Sequence, residues 1–232
     1  MRSTLLRFLA TLLAAAAFGQ AALAQAYFRE EIAPKGGKGP AVLVISGQSG
    51  PEPRKAFARD IAAQGYNVLL VDGNDLLSRT KPMAQYYKDA VGSLLAHPAT
   101  TSRKVVVIGF SMGGGALLAH AMTQPDTVVG AIAVYPYTAW IQNVDAMVSR
   151  FQVPLLLLAA GSDTYNNCCL IERAREIEAS AKARDKAFEM VVYDGADHAY
   201  DLTGRGYRAG PARDTARRIE EALKRLHADT AK

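Results

Sequence analysis

The sequence predicts a doubly wound α/β sandwich, a mostly parallel central sheet with helices packed on both faces. Three observations carry that expectation: short apolar runs without polar alternation, amphipathic helical periods between them, and a composition that is 50% hydrophobic and 21% charged over 232 residues. Strands buried on both faces read as continuous Val, Ile and Leu, and a parallel sheet under two helical layers requires that pattern. The composition sets aside disordered, collagen-like and disulfide-framework chains. Cys168 and Cys169 are the two cysteines, too few for crossing bridges, so a hydrophobic core must hold the fold.

The chain opens on a segment that reads as an export leader. Arg2 and Arg7 form a basic start, an apolar run from Phe8 to Phe18 follows, and Ala22-Leu23-Ala24 supplies a small-x-small cleavage site. Residues 1–24 are therefore expected to leave, with residues 25–232 forming a single domain in the periplasm or outside the cell. The alternative is an uncleaved anchor, although a spanning helix needs roughly 20 apolar residues. Cleavage lowers the net charge from +5 to +3, because the leader carries two arginines and no acid. That excess is too small for a nucleic-acid partner. The basic residues of the last helix, among them Arg217 and Arg218, alternate with Asp214, Glu220 and Glu221, as on a solvated face.

The strand candidates come next in order: Ala41 to Ile45, Val68 to Asp72, Val105 to Phe110, Val128 to Tyr135, Pro154 to Ala159 and Glu189 to Tyr193. Helical periods separate them: Phe57 and Ile61 before Gly65; Met83, Tyr87, Ala90 and Leu94 between Pro82 and Pro98; and Ala212, Ala216, Ile219, Leu223 and Leu226 at the end. Ligands of such sheets bind outside the carboxyl ends of the strands, so the residues just after each strand are the ones to question.

Val105 to Phe110 runs directly into Ser111 and then a helical stretch. Gly109-Phe110-Ser111-Met112-Gly113 fits the strand–turn–helix elbow G-x-S-x-G, in which the glycines let strand and helix approach while the turn exposes the hydroxyl. Ser111 is the candidate nucleophile, with a plain tight turn as the alternative. The Met112 N–H, at the positive end of a helix, can face an oxyanion. The hydroxyl needs a base, and His198 is the candidate because it follows the last strand in Asp194-Gly195-Ala196-Asp197-His198. His97, His120 and His227 read as surface or packing residues. Asp163, after the preceding strand in Gly161-Ser162-Asp163-Thr164, is the candidate to orient the imidazole. The order Ser111, Asp163, His198 is the one this arrangement uses. Asp72 and Asp75 read as loop or cap residues. Gln48, in Ser46-Gly47-Gln48-Ser49-Gly50 after the first parallel strand, is the second candidate oxyanion donor. Neither phosphate-loop glycine spacing is present.

Trp140 and Tyr200 are candidate substrate-binding residues, alongside Tyr135, Tyr137 and Tyr165. No cofactor is implied. The cysteines are adjacent and far in sequence from any histidine, so no metal-ligand spacing is read and no metal is expected. Adjacent Cα atoms lie about 3.8 Å apart, below the usual disulfide range, so free thiols and a vicinal bond are both open. The pair is read as standing outside the nucleophilic chemistry.

Ile45-Ser46-Gly47-Gln48, Gly109 to Gly114, Gly161-Ser162-Asp163 and Val192 to Tyr200 together resemble the dienelactone hydrolase family over about residues 40 to 228. The resemblance implies an α/β-hydrolase fold without a large lid, cleaving esters or lactones without a cofactor. The family carries cysteine at the elbow where this chain has Ser111. Its loop glutamate aligns with Gly47, and its substrate-carboxylate arginine falls near Leu202, with Arg205 close by. The expectation is an exported esterase with a serine nucleophile, acting on a small-molecule ester or lactone through an acyl-enzyme. An acyltransferase with the same residues and a non-catalytic envelope binding protein are the alternatives.

Overall fold

The computed structural model describes residues 27–77 and 82–228. The expected leader, residues 1–24, lies outside the described residues. Seven strands form one sheet: β1 (Arg29–Ile32), β2 (Ala41–Ile45), β3 (Asn67–Val71), β4 (Val105–Phe110), β5 (Val128–Val134), β6 (Leu155–Ala160) and β7 (Phe188–Tyr193), in the order β1-β3-β2-β4-β5-β6-β7. All neighbours pair in parallel except β1, which runs antiparallel to β3 from Arg29 opposite Val71 to Ile32 opposite Val68. The six strand candidates are present to within one residue at each end. Strand β1 is an addition that sequence reasoning missed.

Every residue of β2, β3, β4 and β6 is buried, which explains why their sequences lack alternation. Side chains still alternate between faces. Leu43, Val107 and Leu157 join one core with α3 (Met83–Ala96), α4 (Met112–His120), α5 (Val144–Val148) and α6 (Ile171–Ala183). Val44, Ile108 and Leu158 join the other with α1 (Lys55–Ala63) and α7 (Ala209–Ala228), through Ala58, Ile61, Ile219 and Leu223. A short helix, α2 (Gly73–Leu77), follows β3. Two helical layers around a mostly parallel sheet, with a strand–serine–helix elbow between β4 and α4, make the α/β-hydrolase fold. Among the described residues no large lid is inserted, and no helix is long and apolar enough to cross a membrane.

Strand order reverses around β2: the chain passes from β2 to β3 on one side through α1 and then from β3 back to β4 on the other side through α3, and these two helices pack on opposite faces of the sheet. That switch point opens a crevice at the carboxyl ends of β2 and β4. The loop from Ser46 and the turn at Ser111 leave the sheet there.

The end of α7 holds a pH-sensitive contribution to stability. His227 is buried near Tyr66, with ring centroids 5.4 Å apart, and burial pushes its pKa down to about 4. The unfolded chain takes up that proton near pH 6.5. Between about pH 6.5 and 4 the unfolded state therefore binds a proton that the folded state does not. The stabilisation is fully present above that window and is lost as pH falls through it, by about 2 kcal/mol between pH 7 and pH 5. His227→Leu is expected to flatten this dependence, read by urea unfolding at the two pH values. Equal losses in variant and parent would assign the acid sensitivity elsewhere.

Candidate active site

Ser111 sits between β4 and α4 with φ 51° and ψ −113°, a backbone region that L residues rarely adopt. The strain is held by close packing. A Cβ on Gly109 would lie 2.3 Å from the Gly113 carbonyl oxygen, and one on Gly113 would lie 2.3 Å from that of Ile45. Only glycine fits these two places, and the squeeze pushes the hydroxyl outward. Its Oγ lies 2.9 Å from Nε2 of His198.

His198 Nδ1 lies 2.7 Å from Oδ2 of Asp163, whose side chain is fully buried. The other carboxylate oxygen, Oδ1, accepts the Tyr165 N–H at 3.1 Å. The two loops are tied together by backbone: Ser162 N–H donates to the Ala196 carbonyl, and Gly161 N–H to that of Tyr193. Tyr165 stacks on the imidazole at 4.7 Å and Tyr135 meets it edge-on at 5.0 Å, so the ring is held on both sides. Asp197, adjacent in sequence, accepts the His198 backbone N–H at 2.7 Å. The three candidates Ser111, Asp163 and His198 are thus brought together in one hydrogen-bonded row. With Nδ1–H donated to Asp163, Nε2 carries the lone pair that can take a proton from a neighbouring nucleophile.

Gly47 lies against the serine, since a Cβ there would come 3.3 Å from the Ser111 Cβ. Gln48 follows on the cavity wall, and its carbonyl accepts from Asn74 Nδ2 at 3.0 Å. Asp72 is a loop and cap residue as expected: Oδ1 accepts from Asn74 N–H at 2.9 Å and from Ser46 Oγ at 3.3 Å. Met112 opens α4 immediately after Ser111.

The cavity at Ser111 and His198 is about 60 Å³, with Gln48, Arg54, Tyr135, Tyr165 and Leu202 among its walls. Two expected substrate-binding residues are corrected. Tyr200 is fully buried, its hydroxyl 2.7 Å from Thr215 Oγ1 and its ring packed on Tyr135 and Tyr193, which makes it a core residue. Trp140 does not line this cavity; its Nε1 donates to the Tyr137 carbonyl.

Arg54 was not among the sequence candidates. It lies in the short turn Glu52–Arg54 ahead of α1, is 4% exposed, and donates to Asp201 Oδ2 at 2.5 Å and to the Tyr135 hydroxyl. Tyr135 donates in turn to Asp201 Oδ1 at 2.5 Å. The guanidinium lies 3.7 Å over the Phe110 ring. Burial alone would lower the Arg54 pKa, but Tyr135 and Asp201 hold it above its usual value, while burial pushes Tyr135 well up. A closed charge network therefore supports the floor of the site. In Pro51-Glu52-Pro53-Arg54-Lys55, a charged and proline-rich stretch, no sequence signal marks such burial.

The cysteines require a larger correction. Cys168 and Cys169 form a disulfide and are buried. The short turn Tyr165–Asn167 folds them back, so that Asp163, Cys168, Cys169 and His198 each offer an atom within 4.8 Å of the others. The expectation of cysteines outside the chemistry, and of no Cys/His/Asp cluster, is overturned because the fold supplies a proximity that chain spacing hid. The Asp163–His198 pair with adjacent sulfurs fits a Cys-His-Asp arrangement. The classification as a serine esterase, and as a serine-nucleophile variant of its family, is therefore not retained. In the disulfide neither sulfur carries a thiolate, the form in which a cysteine acts as a nucleophile.

A protein from Saccharolobus solfataricus provisionally named a carboxymethylenebutenolidase is 31% identical over 152 residues, covering 65% of this chain and 56% of its own. Cutinase 2 of Thermobifida cellulosilytica is 31% identical over 131 residues, 53% of this chain and 48% of its own. The chain thus spans about half the length of the curated relatives it matches. Among solved structures, the dienelactone hydrolase-like promiscuous phosphotriesterase P91 from metagenomic libraries superposes with a TM-score of 0.69 at 19% identity, over 88% of this chain and 94% of its own. That likeness speaks for the fold. The profile of the dienelactone hydrolase family matches residues 73–227, from the helix after β3 to the end of α7, and the chain belongs to that family.

Proposed function

We propose that the protein hydrolyses small ester or lactone bonds through an acyl-enzyme, with His198 as acid–base and Asp163 holding its tautomer. The observation that carries the reading is the pair of hydrogen bonds on His198, 2.7 Å to Asp163 at Nδ1 and 2.9 Å to Ser111 at Nε2. Family membership and the cutinase and butenolidase likenesses support the bond class.

The site residues are proposed in these roles. His198 accepts a proton as the nucleophile attacks the carbonyl, returns it to the leaving group, and then activates water to release the acid. The backbone N–H groups of Met112 and Gln48 are proposed to hold the oxyanion, each worth about 10² to 10³ in turnover. Two kinds of side chain stand beside His198. Ser111 is hydrogen-bonded to it in the oxidised protein, and the sulfurs of Cys168 and Cys169 become available on reduction. Quenching with a p-nitrophenyl ester and mapping the acyl group by mass spectrometry, before and after dithiol treatment, assigns the nucleophile in each state. Turnover with no adduct on either segment in either state would refute the acyl-enzyme.

The cavity also bears on substrate charge. Its guanidinium, Arg54, is already paired with Asp201, Leu202 stands where the family places an arginine, and Arg205 is exposed. A bound carboxylate would lack a counter-ion, and an unpaired buried charge is costly. Short neutral esters are expected to exceed carboxylate-bearing lactones in kcat/KM by at least about tenfold, roughly 1.4 kcal/mol. Competition between the two substrates measures it, and preference for the anion would reverse the account of the pocket.

Residues 1–24 are proposed as a cleaved export leader, placing the mature domain in the periplasm or outside the cell. The basic start, apolar run and Ala22-Leu23-Ala24 support this. N-terminal sequencing of exported protein is expected to begin at Gln25; an intact Met1 in the membrane fraction would mean an anchor.

A further inference from the structure

The loop that carries Asp163 places more donor atoms around His198 than hydrolysis uses. Asn166 and Asn167, with φ of 48° and 51°, turn the chain back on itself directly before Cys168. The Cys168 carbonyl then accepts from Thr138 N–H at 2.8 Å and Ala139 N–H at 3.0 Å, which anchors the pair against the loop after β5. Both cysteines and Asp163 are buried, and His198 is half-buried. The atoms within 4.8 Å of one another are two sulfurs, one imidazole nitrogen and one carboxylate oxygen.

That donor set suits a thiophilic divalent cation. With metal–sulfur bonds of about 2.3 Å and metal–nitrogen or metal–oxygen bonds of about 2.0 to 2.2 Å, ligand atoms on a tetrahedron stand roughly 3.3 to 3.8 Å apart. From spacings within 4.8 Å, the imidazole and carboxylate atoms would close in by up to about 1 Å, while the two sulfurs, freed from their bond, would move apart to that spacing. Thiolate and imidazole together favour zinc-like or softer ions over magnesium or calcium. The disulfide is the lock, because a sulfur in an S–S bond has no thiolate charge to give.

We propose that reduction of the Cys168–Cys169 bond by a dithiol converts this cluster into a site for one thiophilic divalent cation such as Zn²⁺ or Cd²⁺. The dithiol supplies two electrons and two protons. Its own two sulfurs join as a disulfide, the Cys168–Cys169 bond breaks, and two thiols form. The cation then displaces both thiol protons to water and takes His198 or Asp163 as a further ligand. Occupancy takes either the base or the carboxylate that orients it, so a loaded protein loses the working Asp163–His198 pair. The cation site does not depend on the hydrolase reading, since binding is measured without substrate.

The test uses the full chain reduced with dithiothreitol, freed of reductant by anaerobic gel filtration, and dialysed against Cd²⁺ alone. The expected result is about one bound Cd²⁺ per chain, with thiolate-to-cadmium charge-transfer absorption, and none in untreated protein. The double variant Cys168→Ser/Cys169→Ser is expected to bind none after the same treatment. Equal binding by untreated and reduced protein, or no binding by reduced protein in which both thiols have been counted, would overturn the proposal. The comparison between redox states of the unsubstituted chain needs no variant, so the test survives if the double variant does not fold.

Discussion

His198→Ala is expected to lower kcat/KM for a short neutral ester by about 10⁴-fold or more, roughly 5.5 kcal/mol of transition-state stabilisation. The size follows from the imidazole's place in the row. It is the group hydrogen-bonded both to Asp163 and to Ser111, and the sulfurs of the same cluster would also rely on it once reduced. Whichever nucleophile acts, its proton has the same destination. Residual turnover would come from the backbone oxyanion donors and from binding. The variant has a second cost. Asp163 is fully buried at its side chain, and without His198 it keeps only the Tyr165 N–H. Stability is therefore expected to fall by about 1 to 3 kcal/mol, and activity should be read at a temperature where circular dichroism shows the variant folded. A variant that keeps more than a tenth of the parental kcat/KM would remove His198 from the chemistry.

The second large effect is structural. Arg54→Met is expected to destabilise the fold by about 3 to 5 kcal/mol, because it strands Asp201 beneath the site without its cation. The two side chains are 5% and 12% exposed, so water cannot compensate either charge. Tyr135, which bridges them and touches the His198 ring, also loses a donor. Removing both charges together, as in Arg54→Met/Asp201→Leu, is expected to recover a substantial part of the loss, since a well-packed apolar pair can replace a buried ion pair at little cost. Urea unfolding of the parent, both single variants and the double variant closes the cycle. A single-variant loss below about 1 kcal/mol would mean that the network carries little of the stability.

How far the sequence was legible follows from the kind of signal each element leaves. The parallel strands were readable because burial on both faces removes alternation: Val105-Val106-Val107-Ile108 has no other economical place in a soluble domain. Strand β1 was not readable. Arg29-Glu30-Glu31-Ile32 is charged because it lies at a sheet edge, where exposed polar side chains discourage pairing with another chain, and its partner β3 comes some forty residues later. The placements of Ser111, Asp163 and His198 were readable because each follows a strand and the topology gathers strand ends. The cysteines were misjudged for the complementary reason. Their neighbours in space are Asp163, a few residues back, and His198, which reaches them only after β7 closes the sheet. Tyr200 and Trp140 failed as pocket walls because an aromatic beside a site in sequence can point into the core or away along the surface with equal ease. Arg54 left no trace in the sequence, since an arginine's burial depends on a partner, here Asp201, 147 residues away.

In the proposed chemistry the Asp163–His198 pair drives acylation of the protein by its substrate. Stopped-flow release of p-nitrophenol from a short ester, under conditions where deacylation is slower than acylation, tests it most directly. A burst of about one equivalent per chain is expected in the parent and none in His198→Ala. A burst of equal size and rate in both proteins, or steady turnover by the parent without any acyl adduct detectable on the protein, would contradict it.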